Sequence, residues 1–227
     1  MFCSHARRRT FPYAVAISGV KSEDVRRQWA ERSGEYSPGY YAYYGPDETS
    51  ESVRSILDRT LDSDASVLEL GCSSGRHLAH LRDGGYEDLA GIEVNADAFD
   101  VMEETYPELA ETGTFYHDAI EAVVEEFPDD HFDAVYSVET LQHIHPSSSW
   151  VFSELIRITD ELLISIENEG DDSETTVNYV DDDVPLYYRN WSEEFANEDL
   201  TEIELTPEER SVVHEGDTVR AFRTSTQ

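Results

Sequence analysis

The sequence predicts an α/β fold in three layers, a mostly parallel sheet with helices on both faces, and three observations carry that prediction. Short apolar runs recur from Ser66 onward, each of the length of a buried strand. Apolar residues at helical spacing fill the gaps between them, and strands alternating with helices build a parallel sheet covered on both sides. Finally, the turn after the first strand, Glu69-Leu70-Gly71-Cys72-Ser73-Ser74-Gly75, carries glycines where such sheets place their ligands, beyond the carboxyl ends of the strands.

Residues 66–70 form the first strand. Residues 75–82 follow as a helix with Leu78 and Leu81 inward, stopped by Gly84-Gly85. The second strand covers 88–94. Asn95 then caps a helix to about Tyr106, with Ala98, Val101 and Met102 at helical spacing and Pro107 closing it. A third strand at 114–116, a helix at 120–126 and a fourth strand at 132–138 come next. Pro146 opens a helix containing Trp150, Val151, Leu155 and Ile158, and 162–166 is the fifth strand. An acidic loop, a short helix near 192–196 and strands near 201–205 and 218–223 complete the series, which makes seven strands. Residues 1–20 are expected to be a poorly ordered extension, 21–62 a helical cover and 63–227 one domain.

The chain has 227 residues, with 50 Asp plus Glu against 16 Lys plus Arg and a formal net charge of -34. A phosphate backbone would be repelled before contact, so nucleic acid is excluded as a partner. Of the basic residues one is a lysine, Lys21, and fifteen are arginines. Acids spread along the whole length, with almost no lysine, predict a surface adapted to high salt, where a Debye length of about 3 Å at 1 M screens their repulsion. Two cysteines, Cys3 and Cys72, give neither a disulfide framework nor a zinc spacing. His143 and His145 stand close together without the context of a metal motif, so no metal is implied. No apolar run of about 18 residues is present, so no membrane helix is expected. Arg7-Arg8-Arg9 before Ala14-Val15-Ala16-Ile17 is similar to a twin-arginine export signal, but the apolar stretch is short and interrupted. A cytoplasmic location is expected.

Within the first turn, Gly71 permits a tight bend and Gly75 lets the helix start close to the strand and to a ligand. The spacing is not the Gly-x-Gly-x-x-Gly of dinucleotide sites, and an acid before the first glycine opposes a pyrophosphate. Glu69 suits a ligand that is cationic at one end.

At these residues the chain resembles the class I S-adenosylmethionine-dependent methyltransferases over about residues 66–167. The resemblance implies a Rossmann-like sheet of seven strands, mostly parallel with an antiparallel C-terminal strand, and S-adenosyl-L-methionine as cofactor. Ser73 departs from it, standing where a glycine is common. What the resemblance implies for the site is a cofactor seat of Glu69, Gly71, Cys72, Ser73 and Gly75, with Glu93 on the ribose hydroxyls and Val94 beside it. Asp118 with Ala119 would read the adenine, and Ser137 would lie along the cofactor. Arg76 is either a solvated helix residue or a contact to the methionine carboxylate. Cys72 reads as a small turn residue whose backbone N–H faces the ligand. Residues 137–144 resemble the turn where small-molecule enzymes of this family carry catalytic groups, which nominates Glu139 and His143; helix capping or surface exposure is the alternative for both.

Two aromatic clusters flank this core, Tyr40-Tyr41-Ala42-Tyr43-Tyr44 after the amphipathic segment around Val25 to Trp29, and Tyr187-Tyr188-Arg189-Asn190-Trp191 after the fifth strand. Both read as irregular lids over a substrate pocket, with Tyr44, Tyr188 and Arg189 as substrate contacts; packing onto the sheet is the alternative for the tyrosines, and neutralisation of the acids at 181–183 or of Glu193 for Arg189. In-line methyl transfer to a small-molecule acceptor is the function the resemblance implies. A cofactor-binding protein without turnover and a nucleotide-cofactor oxidoreductase on a related sheet are the alternatives.

Overall fold

Strand periodicity accounts for the centre of the computed structural model, which describes residues 20–170, 176–180, 184–196, 200–212 and 216–224. Strands β1 (Val67–Leu70), β2 (Leu89–Glu93), β3 (Thr114–His117), β4 (Phe132–Val138), β5 (Thr159–Asn168), β8 (Leu200–Glu202) and β9 (Asp217–Thr224) form one sheet in the order β3-β2-β1-β4-β5-β9-β8. β1 to β5 pair in parallel, and β9 runs antiparallel to β5. This is the predicted Rossmann-like arrangement. Strand order reverses between β1 and β4, so the switch point lies at the carboxyl end of β1, directly above the glycine-bearing turn.

Successive strand residues point to opposite faces, and two apolar layers result. On one face Val67, Tyr136, Ile164 and Ala221 pack against Val53, Ile56 and Leu57 of α3 (Glu48–Thr60), Leu78 and Leu81 of α4 (Arg76–Asp83), Met102 of α5 (Asp97–Thr105) and Leu109 of α6 (Pro107–Thr112). On the other, Leu68, Leu70, Val135, Leu163 and Phe222 meet Ile120 and Val123 of α7 (Ile120–Val123), Phe152 and Leu155 of α8 (Trp150–Ile158), and Trp191 of α9 (Trp191–Glu194). Glu69 falls in the first set by the same alternation, which is why a carboxylate ends up 2% exposed in an apolar layer.

Helices α1 (Ser22–Ala30), α2 (Pro38–Tyr44) and α3 precede the sheet. Residues 1–19, which include the arginine motif, lie outside the described residues, as do the acids at 181–183.

The helix after β2 does close just before Pro107, at Thr105, and Pro107 itself takes the first position of α6, where its missing N–H costs nothing. Two expectations are corrected here. The first tyrosine cluster is not irregular but forms α2, because Ser37 accepts from the Tyr40 N–H, Pro38 presets the first turn and Gly45 at φ 67° closes it. The second cluster is also regular: Tyr187 and Tyr188 belong to β7 (Val184–Tyr188), which pairs with β6 (Thr176–Val180) as a separate antiparallel hairpin.

Candidate functional site

Above the switch point lies a cavity open to solvent, lined by the turns after β1, β2, β3 and β4. Its floor is the turn after β1, which runs through left-handed backbone three times, at Gly71 (φ 67°), Ser73 (φ 49°) and Gly75 (φ 82°). Serine in that region costs about 1–2 kcal/mol. Its N–H is used: it donates to Glu93 Oε2 at 2.8 Å, while the Asn95 N–H donates to Glu93 Oε1 at 2.7 Å. Glu93 thus ties the ends of β1 and β2 together. A carboxylate offers about four lone-pair sites, so each oxygen retains capacity for a ligand hydroxyl.

Glu69 is different. Its Oε2 is buried, and the polar group beside the carboxylate is the equally buried hydroxyl of Tyr136, its register neighbour on β4. Burial pushes the Glu69 carboxyl up to about 8, with Tyr136 and Arg76 nearby offsetting part of the rise. A buried acid on a cavity wall is what a site for a cationic ligand requires, and the residues present fit S-adenosyl-L-methionine: a seat for positive charge at Glu69, acceptors at Glu93 and Asp118, and a backbone turn that admits close approach. Asp118 and Ala119 line the far wall with Val94, and the exposed Asp118 carboxylate caps the Ala119 N–H at 2.7 Å.

Cys72 lines the cavity but its thiol is buried against Gly91, and burial pushes it well above its ordinary value. That makes it a turn residue, not a nucleophile. Arg76 is neither free nor solvated: Nη1 pairs with Asp47 at 2.7 Å and the guanidinium lies 4.9 Å from the Tyr41 ring centre. It fastens the cover helices to α4 while facing the cavity.

The turn after β4 brings Glu139 and His143 to the opposite wall. Glu139 takes φ 50°, a strained value of the sort that clusters at functional sites. His143 Nδ1 lies 2.8 Å from the Pro185 carbonyl oxygen; a carbonyl only accepts, so Nδ1 carries the proton and Nε2 is the acceptor. Burial holds the ring down to about 4. It is therefore neutral at physiological pH.

Five of the predicted contacts do not line the cavity. Gly75 faces α5 and α6, where a Cβ would lie 2.8 Å from Leu109 and 3.1 Å from Met102, so its bareness serves the packing of the turn. Ser137 is fully buried and its hydroxyl donates to Glu167 at 2.7 Å. Tyr44 is 63% exposed on the outer side of α2. Tyr188 accepts from Asn178 at 3.3 Å on the β6–β7 hairpin. Arg189 is 2% exposed, framed by the rings of Phe152, Tyr187 and Trp191, and its guanidinium donates to the carbonyls of Leu141 and Ile144. Among the described residues the carboxylate paired with it is Glu194, at 3.9 Å, not Glu193.

Sequence reasoning missed the roof. Ser22, Val25, Arg26 and Trp29 of α1 line the cavity, with Tyr36 and Tyr41 behind them. The first four stand at i, i+3, i+4 and i+7, one face of a helix, which is the signal that could have found them. Trp29 packs on His143 with ring centres 4.6 Å apart, so the roof is joined to the wall that carries Glu139.

Residues 67–161 match the model of a family described as a methyltransferase domain. An O-methyltransferase of Pyrenophora dematioidea is 26% identical over 98 residues, 43% of this chain. The aligned part spans only 37% of that relative's length. A Pyrococcus horikoshii OT3 protein of known structure superposes with a TM-score of 0.59 at 19% identity, covering 91% of this chain and 100% of its own. An S-adenosylmethionine-dependent methyltransferase from Mesorhizobium loti gives 0.56 at 11% identity, covering 76% and 97%. At such identities these superpositions establish the fold alone. Fold, switch-point turn and family match agree: residues 67–161 are similar to a methyltransferase domain.

Proposed function

We propose that this chain is an S-adenosylmethionine-dependent methyltransferase acting on a small-molecule acceptor with a planar or aromatic body, in a salt-rich cytoplasm. The observation that carries the reading is Glu69, a buried carboxylate on the cavity wall at the carboxyl end of β1. Glu69 would hold the positive end of the cofactor, Glu93 the ribose and Asp118 the adenine, over the turn of Gly71 to Gly75. When bound, the cofactor supplies an electrophilic methyl group on a sulfonium. The chain's own contribution is placement, since holding reactants in attack geometry is worth about 7–11 kcal/mol.

Trp29, Tyr36, Tyr41 and His143 supply ring faces on the acceptor side, and these suit a planar molecule and exclude water. His143 Nε2 offers a neutral acceptor to a hydroxyl or amine proton. With the ring held near 4 it orients the proton more than it removes it. Glu139 supplies a carboxyl group on the same wall. Ser73 does not favour a protein without turnover, because the serine adopts the left-handed backbone that a glycine would take. Glu69 disfavours the oxidoreductase, whose dinucleotide would bring a pyrophosphate toward this acid. Nucleic acid and membrane are not proposed as partners, given the charge of -34 and the absence of any membrane-length apolar helix among the described residues.

Titration calorimetry with S-adenosylhomocysteine and NAD side by side, in molar KCl, tests the reading. S-adenosylhomocysteine is expected to bind, NAD to give no heat, and Glu93→Ala to weaken binding by about 1–3 kcal/mol, the usual cost of unpaired polar partners. Binding of NAD alone overturns it, and incubation with a metabolite extract and labelled cofactor separates turnover from binding.

Acids such as Glu103, Glu104, Glu108, Glu111, Glu125 and Glu126 lie exposed along successive surface segments. Because salt screens their repulsion, the midpoint of thermal unfolding is expected to rise steeply between low and molar KCl. A flat profile removes the halophilic reading.

A further inference from the structure

The cavity wall formed by the turn after β4 is held from behind by two buried charges, and neither Glu167 nor Arg189 lines the cavity. Glu167, on β5, is 0% exposed. Its Oε1 accepts from the Ser137 hydroxyl at 2.7 Å, the Thr140 N–H at 3.2 Å and the Leu141 N–H at 3.0 Å, and its Oε2 from the Gln142 N–H at 3.2 Å. Arg189, just past β7, reaches the same turn from the other side. Nη1 donates to the Leu141 carbonyl at 3.2 Å and Nη2 to the Ile144 carbonyl.

Residues Leu141–His143 form a single 3-10 turn. Its leading N–H groups have no partners within so short a segment. The carboxylate takes these, and the guanidinium takes the Ile144 carbonyl and shares the Leu141 carbonyl with the Ile144 N–H, 3.0 Å away. Two further bonds complete the frame, from the Asn168 N–H to Gln142 Oε1 at 2.9 Å and from His143 Nδ1 to the Pro185 carbonyl at 2.8 Å. Burying either charge is costly unless it is paired and hydrogen-bonded. An apolar pair could fill this space without that cost, but it could not hold five backbone groups of one turn in place. We infer that Glu167 and Arg189 are positioning residues that grip this turn by its amides and its carbonyls and so aim Glu139 and His143 into the cavity. What the turn does for the acceptor rests on the methyltransferase reading; how it is held does not.

The test uses the full chain in molar KCl without ligand, read by hydrogen exchange and by proton NMR of the imidazoles. In Glu167→Gln one oxygen becomes an NH2 that opposes the Gln142 N–H and the charge is lost. The amides of Thr140, Leu141 and Gln142 are expected to exchange about tenfold faster or more, while those of Leu68 and Ala90 keep their protection. His143, which faces Glu139, Arg32, Arg189 and Trp29, is expected to titrate closer to its ordinary value near 6.5 as its seat loosens. Arg189→Lys keeps the charge but cannot span two carbonyls, and it is expected to move the same amides by a smaller factor, which serves if the Glu167 variant does not fold. Affinity for S-adenosylhomocysteine should stay within about threefold in both variants, because neither residue touches the cavity. Unchanged protection of the three amides, or a loss shared equally by β1 and β2, overturns the inference. Failure of the wild type to bind S-adenosylhomocysteine would sink the methyltransferase reading instead, and the exchange pattern would still decide how the turn is held.

Discussion

Glu69→Gln is expected to stabilise the ligand-free protein at alkaline pH and to weaken S-adenosyl-L-methionine binding at least tenfold. Burial raises this carboxyl from 4.5 to about 8 in the folded chain. A raised carboxyl favours the folded state fully below its unfolded value, and that advantage is lost as pH rises through the folded one. At about 1.36 kcal/mol per unit, the shift corresponds to roughly 4–5 kcal/mol. Between pH 6 and 9 the wild-type unfolding midpoint should therefore fall, in molar KCl where surface acids are screened, and the glutamine variant should fall less. Glu167, raised to about 7, acts in the same direction in both proteins and completes most of its loss earlier. For binding the sign reverses. A cationic ligand end favours the ionised acid, so affinity should climb at least tenfold from pH 6 to pH 8, with a proton released on binding below pH 8. Calorimetry in two buffers of different ionisation enthalpy counts that proton. Affinity that is level across this range, with no proton released, removes Glu69 from the cofactor seat.

The parts of this molecule that are legible in the sequence are those set by local rules. Residues 67–70, 89–93 and 132–138 read as buried strands because each is a short apolar run between turn residues, and strand ends then name Glu69, Glu93 and Asp118 without any knowledge of contacts. The two aromatic clusters mislead for different reasons. In α2, tyrosine has no strong helix preference, and the prolines and glycines around it look like loop punctuation although Pro38 and Gly45 are the helix's own start and stop. In β7 the partner strand is short and set between acidic runs, so nothing local announces a hairpin. Arg189 reads as a substrate contact, or as a cation neutralising nearby acids, because it stands isolated in an acidic stretch. Its carbonyl partners lie 45 and 48 residues away, and a pairing of that range leaves no trace in spacing. Ser137 misleads in the same way, its place decided by Glu167 on the next strand.

Gly71→Ala is expected to weaken cofactor binding at least about thirtyfold while leaving the sheet folded. The residue sits at φ 67°, where an L side chain costs about 1–2 kcal/mol. Space is the larger difficulty. A Cβ there would lie 2.3 Å from Thr140 Oγ1 and 2.5 Å from its Cγ2. Thr140 has little freedom to retreat: its hydroxyl donates to the Val138 carbonyl at 3.0 Å and its N–H to Glu167 at 3.2 Å. Either the turn after β1 lifts into the cavity, displacing the Ser73 N–H from Glu93, or the turn after β4 shifts with Glu139 and His143. The first outcome destroys the cofactor seat and the second the acceptor wall. Backbone shifts forced by overpacking cost typically about 1–3 kcal/mol, so strain and clash together should lower affinity for S-adenosylhomocysteine by at least about thirtyfold and the unfolding midpoint by several degrees. Gly85→Ala is the matched control, since that glycine also has a positive φ, 104°, but a Cβ added there would meet nothing within 4 Å. It carries the strain without the clash, at a place remote from the cavity. Equal S-adenosylhomocysteine affinity in the wild type and Gly71→Ala would show that the two turns are not packed as closely as this, and the close approach of the loops after β1 and β4 would lose its role in forming the site.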